Sequence, residues 1–113
     1  MKIGAVSQKT GLGIHAIRYY EKQGLIKQPV KDSSGHRQYS AHDIDILNWV
    51  SCMKNSGMSL NKIKQYTQAF YTSDNEACID LLEEHLTKLL SQQENIKHYI
   101  EVTTNKINRF KKA

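Results

Sequence analysis

The stretch that decides the fold is Gly11-Leu12-Gly13-Ile14-His15-Ala16-Ile17-Arg18-Tyr19-Tyr20-Glu21. Ile14, Ile17 and Glu21 fall at helical spacing, so the two isoleucines are expected to face a small core. The same offsets put His15, Arg18 and Tyr19 on or beside an outward face. Two adjacent tyrosines behind an arginine are costly to expose unless something stacks on them or bonds to them, and phosphates and base edges are such partners. Thr10-Gly11-Leu12-Gly13 reads as a tight turn, and Ile3, Ala5 and Val6 before it suit a short first helix over residues 2–9. A helix, a glycine-containing turn and a second helix over about 14–23 with a basic, aromatic outer face form a helix-turn-helix pattern. Gly24 closes the second helix at a C′ position, Leu25-Ile26 returns to the core, and Gly35-His36-Arg37-Gln38-Tyr39 follows.

Ile3-Gly4-Ala5-Val6-Ser7, Ile17-Arg18-Tyr19-Tyr20-Glu21, Gly24-Leu25-Ile26, Gly35-His36-Arg37-Gln38-Tyr39 and Asp43-Ile44, taken as a set, resemble the MerR family of bacterial transcriptional regulators. Met53 to Leu60 and a long C-terminal helix follow in family order, so the resemblance covers essentially the whole chain. Two positions depart from the pattern. Gly13 stands where the family usually has Ser, and Ala16 where it often has Thr. Glycine can serve as an N-cap but offers no side-chain acceptor, and both changes remove hydroxyls that could contact a phosphate.

The 113 residues suit one compact domain plus an extension. No apolar run approaches the ~18 residues that span a membrane. Met1-Lys2-Ile3-Gly4 opens no signal-peptide h-region, and a cytoplasmic location is the expectation. The net charge of +5 is unevenly spread. Residues 1–73 carry ten Lys or Arg against four Asp or Glu, and residues 74–113 carry six against seven. The positive charge therefore sits with the helix-turn-helix, as the phosphate term in DNA binding requires.

Lys27 to Tyr39 reads as a hairpin wing, with Lys31-Asp32-Ser33-Ser34-Gly35 as its turn. Arg37 and Tyr39 then share one face of the return strand and His36 and Gln38 the other. Arg37 is expected to reach a phosphate or a minor-groove edge; the competing reading is a surface arginine packed on Tyr39. Ser40, with Asp43 as capping-box partner, starts a third helix to about Asn55, apolar through Ile44, Leu47, Val50 and Trp49. Ser59 starts a fourth, with Ile63, Tyr66, Thr67 and Phe70 at helical spacing. The resemblance makes this helix pair a second wing, with Lys54, Lys62 and Lys64 as phosphate contacts. The full expected DNA surface is His15, Arg18, Tyr19, Tyr20, His36, Arg37, Tyr39, Lys54, Lys62 and Lys64, with Tyr20 bracing the helix or touching the backbone.

Tyr71 to Asn75 reads as a hinge. Beyond it Ile79, Leu82, Leu86, Leu89, Gln93, Ile96, Ile100, Thr103, Ile107 and Phe110 are separated by steps of three and four. That is a heptad seam, ~48 Å long, which needs a partner surface. The simplest partner is the same helix of a second copy, Gln93 and Thr103 being polar positions that can set register. Heptads alone leave the orientation open; the resemblance implies an antiparallel pair. The expected architecture is all-α with a small β-hairpin wing, a winged helix-turn-helix head over 1–73 and a dimerisation helix over 74–113.

Nothing in the sequence supports an enzyme or a cofactor: there is no glycine-rich phosphate loop and no histidine pair at i, i+4. Cys52 and Cys78 are not in a C-x-x-C. By resemblance, metal-sensing relatives carry a cysteine at the start of the dimer helix and another in a loop after it. Cys78 sits near the first place, but no Cys or His follows Ile100, so no metal is expected. No separate ligand-binding domain is expected either. Cys52, in Ser51-Cys52-Met53-Lys54, resembles the position used by the short single-cysteine branch that responds to aldehydes and thiol stress. It reads either as a sensor, with Lys54 favouring the thiolate, or as a small core residue. The functional expectation is a homodimeric regulator that distorts promoter DNA between its elements, with RNA polymerase as a partner by resemblance. The alternative is a coiled-coil interaction or architectural protein with a general nucleic-acid-binding head.

Overall fold

The computed structural model describes all 113 residues. The elements run α1 (Ile3–Thr10), α2 (Ile14–Lys22), β1 (Val30–Lys31), β2 (Arg37–Gln38), α3 (Ala41–Asn55), α4 (Leu60–Tyr71) and α5 (Asn75–Lys112). Two compact units result, Met1–Cys78 and Ile79–Ala113.

The first unit is built from short amphipathic helices around one core. Val6, Ile17, Tyr20, Leu25, Ile26, Tyr39, Ile44, Ile46, Leu47, Val50, Met58 and Ile63 are buried together. Each large aliphatic side chain among them contributes roughly 1.5–3 kcal/mol by leaving water. α1 ends because Gly11 adopts φ +74°, and its amide bonds back to Ser7 O at 3.0 Å. The Ser7 hydroxyl donates to Leu12 O, and Thr10 Oγ1 accepts from the Leu12 amide at 3.2 Å. The turn into α2 is therefore closed by side chains as well as by backbone. α2 ends in a Schellman arrangement: Leu25 N bonds to Tyr20 O at 2.9 Å and Gly24 N to Glu21 O at 3.1 Å, with Gly24 at φ +74°. Leu25 is thereby returned to the core, as the Gly24-Leu25 pair implies.

β1 and β2 form a two-stranded antiparallel hairpin with Val30 opposite Gln38 and Lys31 opposite Arg37. α3 carries the expected capping box, Ser40 Oγ accepting from Asp43 N at 3.1 Å and Asp43 Oδ2 from Ser40 N at 2.8 Å. Ser59 caps α4 through Lys62 N. The α4 core face differs from the expected one. Ile63, Thr67 and Ala69 are buried, while Phe70 is exposed and continues a ring stack of Trp49, Tyr66 and Phe70. Ile14, expected to face the core, sits at the first helical position, before the helix has completed a turn over the core, and is exposed.

α5 is a single helix of 38 residues, about 57 Å long at 1.5 Å per residue. In the second unit the seam residues Ile79, Leu82, Leu86, Ile96, Ile100, Ile107 and Phe110 are exposed, from 37% at Leu82 to 76% at Phe110. Leu89 is half-buried, and Gln93 and Thr103 are exposed. No helix is long and apolar enough to cross a membrane.

Candidate nucleic-acid interface

α2 separates its residues sharply by face. Ile17, Tyr20 and Glu21 are buried, at i, i+3 and i+4, while His15, Arg18, Tyr19 and Lys22 are exposed. The expected trio His15, Arg18 and Tyr19 therefore shares one outward surface, Tyr19 with 47% of its area free. Gly13 caps the helix without a side-chain bond, so the first turn of α2 presents unpaired backbone N–H groups towards solvent.

Tyr20 does not belong to that surface. It is 1% exposed, because one further residue turns the side chain by ~100° from Tyr19 onto the inner face. Lys54 Nζ lies 5.6 Å from the centre of its ring. Tyr20 braces α2 and offers nothing to a duplex.

The wing differs from its sequence reading in a similar way. Tyr39 is 3% exposed, and its hydroxyl donates to Glu21 Oε1. Burial first, then that bond to Glu21, push the phenol well above the ordinary tyrosine value. Tyr39 is thus a core residue and not a contact. Arg37 is partly exposed, and its Nε lies 2.7 Å from Glu21 Oε2, close enough for a charge pair though not aligned as a hydrogen bond. Arg37 is therefore not a free surface arginine; it is tied to α2 through Glu21. Glu21 is the residue that sequence reasoning did not single out. Its signal was present: it follows Ile17 by four residues on the buried face.

His36 stands exposed at the wing, 3.9 Å from Asp32 Oδ1 through Nδ1. Asp32 organises the turn, Oδ1 accepting from Ser34 N at 2.9 Å and His36 N at 3.0 Å. The amide of His36, ahead of the other contacts, holds the Asp32 carboxyl below its ordinary value. Lys64 reaches α2, its Cε 3.5 Å from where a Cβ on Gly24 would lie. It lines a cleft of about 150 Å³ with Tyr19, Gln23, Leu25, Leu60 and Asn61. Lys54 and Lys64 are exposed and Lys62 is half-buried.

Cys52 is exposed in the chain and Cys78 half-buried; both are free thiols. The core reading of Cys52 is corrected: its position on α3 falls outside the Ile44, Ile46, Leu47 and Val50 face. Burial, and then the charge of Asp74, push the Cys78 thiol up. No group of three His, Cys, Asp or Glu side chains comes together to hold a metal ion.

The chain that builds this arrangement, two helices joined by a glycine turn with a hairpin tied behind them, matches over residues 1–70 the family model described as "MerR HTH family regulatory protein". The chain belongs to the MerR family. An uncharacterised HTH-type transcriptional regulator of Haemophilus influenzae is 29% identical over 114 residues, covering 95% of this chain and 81% of the relative. The structure of HiNmlR, a MerR family regulator lacking the sensor domain and bound to promoter DNA, superposes with TM-score 0.88. It is 26% identical and covers 99% of this chain and 90% of that one. A MerR family transcriptional regulator from Bacillus thuringiensis gives TM-score 0.83 at 27% identity, covering 96% and 97%. As a MerR-family protein this one is a DNA-binding transcriptional regulator and not an enzyme.

Proposed function

We propose that the protein works as a homodimer that binds a pseudo-palindromic promoter site and regulates by distorting the DNA between its elements. The observation that carries the reading is the exposed apolar seam of α5, which runs from Ile79 to Phe110 at steps of three and four. Such a stripe is worth burying, and a second copy of α5 offers the matching one. The antiparallel pairing rests on family resemblance. Separate heads over residues 1–73 then meet successive major grooves of one duplex face.

Within each head, His15, Arg18 and Tyr19 face bases or nearby phosphates, His36 and Arg37 meet flanking phosphates from the hairpin, and Lys54, Lys62 and Lys64 add backbone charge. The promoter-bound relative HiNmlR supports this use of the head. Bending and untwisting a promoter costs about 1–6 kcal/mol, so a small change of head geometry is enough to switch output to RNA polymerase. Exposure of Cys52 supports its use as the entry point for thiol-reactive aldehydes; resemblance to the short single-cysteine branch supplies the chemical class.

The test is a pair of variants. Arg18→Ala is expected to lose roughly 1–3 kcal/mol on the operator and far less on random duplex. Equal losses on both would favour a general nucleic-acid-binding head. Cys52→Ala is expected to abolish the response of promoter transcription to an aldehyde while leaving operator binding intact; an unchanged response removes the sensor role.

A further inference from the structure

The buried carboxylate of Glu21 has no place in the list of DNA contacts, yet it joins the two parts of the head that hold them. It lies in the last turn of α2, 5% exposed. A charge in such a place is tolerated only when paired. Both of its partners come from the end of the hairpin: the Tyr39 hydroxyl donates to Oε1, and Arg37 Nε sits 2.7 Å from Oε2. The same end of the hairpin is held on a second side, where Tyr39 N bonds to Met1 O at 2.7 Å and Met1 N to Tyr39 O at 3.0 Å. β2 is therefore fixed to both the approach to α1 and the end of α2.

A guanidinium carries five N–H donors in a rigid fork. The charge contact with Glu21 is made at the Nε edge of the fork and leaves the terminal amino groups. Arg37 keeps a third of its side-chain surface open to solvent. We propose that Glu21 is a positioning residue for DNA binding: it locks the Arg37 guanidinium so that its terminal donors meet a backbone phosphate in register with the groove contacts of His15, Arg18 and Tyr19. The inference rests on the DNA-binding reading of this head. A freely hinged arginine would also supply charge, but it would not fix the distance between wing phosphate and groove. Tyr39 contributes by holding the other carboxylate oxygen, so the carboxylate cannot rotate away from Arg37.

The experiment is phosphate ethylation interference on the operator with the full chain, combined with a double-variant cycle. Glu21→Gln keeps the shape and removes the charge. With folding checked by circular dichroism, it is expected to lose interference at the outer, wing-side phosphates, to keep that at the groove positions, and to weaken operator binding about tenfold. In an Arg37→Gln background the same change is expected to cost nothing further, because Glu21 acts through Arg37. Uniform weakening across the footprint, or the same loss in both backgrounds, overturns the proposal and leaves Glu21 a purely structural residue. If Glu21→Gln does not fold, Tyr39→Phe, which removes only the hydroxyl, is read by the same two criteria. A wild-type chain with no footprint on any duplex would instead overturn the DNA-binding reading itself.

Discussion

Glu21 places a negative charge inside a core whose other members are almost all apolar, and its removal should be felt as stability. Breaking a buried ion pair typically costs about 3–5 kcal/mol, and the part-exposed Arg37 places this case at the lower end. Glu21→Ala is therefore expected to lower unfolding free energy by about 3 kcal/mol, seen as a lower urea midpoint with an unchanged slope. Tyr20 and Tyr39 show where the motif Arg18-Tyr19-Tyr20-Glu21 misleads. Adjacency in sequence groups Tyr19 with Tyr20, but helical phase separates them by about 100°, and only Tyr19 is left outside. Applied strictly, the Ile17 to Tyr20 to Glu21 spacing would have assigned both residues to the core. Tyr39 could not be placed by such a rule. Its hydroxyl finds its partner in Glu21, 18 residues earlier, and no local pattern carries a contact that long. Cys52 was undecided for a related reason: α3 is apolar on more than one line of positions, and only packing chose among them.

The hairpin turn depends on Asp32, whose carboxylate accepts two backbone amides. Because its folded carboxyl is more acidic than an unfolded aspartate at about 3.9, ionisation favours the folded turn above that value. The advantage fades as pH falls below it and is gone once the lowered folded value is passed. Amide exchange at Ser34 and His36 should therefore be constant from neutral pH down to about 4, after correction for intrinsic rates, and lose protection only in stronger acid; loss already near neutrality would assign the turn to another group. At α3 the capping box is local, so Ser40→Ala should cost about 1 kcal/mol by thermal unfolding. Caps, the Gly24 stop and the heptads were legible because each is written within a turn or two of chain. The strands were not legible in length. Pairs of two residues, Val30–Lys31 and Arg37–Gln38, are too short to show an alternation. Phe70 lies outside the core with its ring beside that of Tyr66, a placement that helical spacing alone does not distinguish from burial.

The chain as a whole joins a basic head, net positive over residues 1–73, to a 38-residue helix with an unpartnered apolar stripe. In the sequence, charge and periodicity change together near residue 74, whereas the compact units meet between Cys78 and Ile79; the fold of the head is shared with MerR-family proteins of known structure. What charge and periodicity do not contain is the pairing of one helix with another, since the sequence of a single chain has no term for its copy. Operator binding by two linked heads requires that pairing, and sedimentation equilibrium of the chain, alone and on an operator duplex, measures it. A homodimer gives a particle of twice the 13.0 kDa chain mass at micromolar concentration, and two chains per duplex. A particle of 13.0 kDa, binding the duplex one chain at a time, would contradict it.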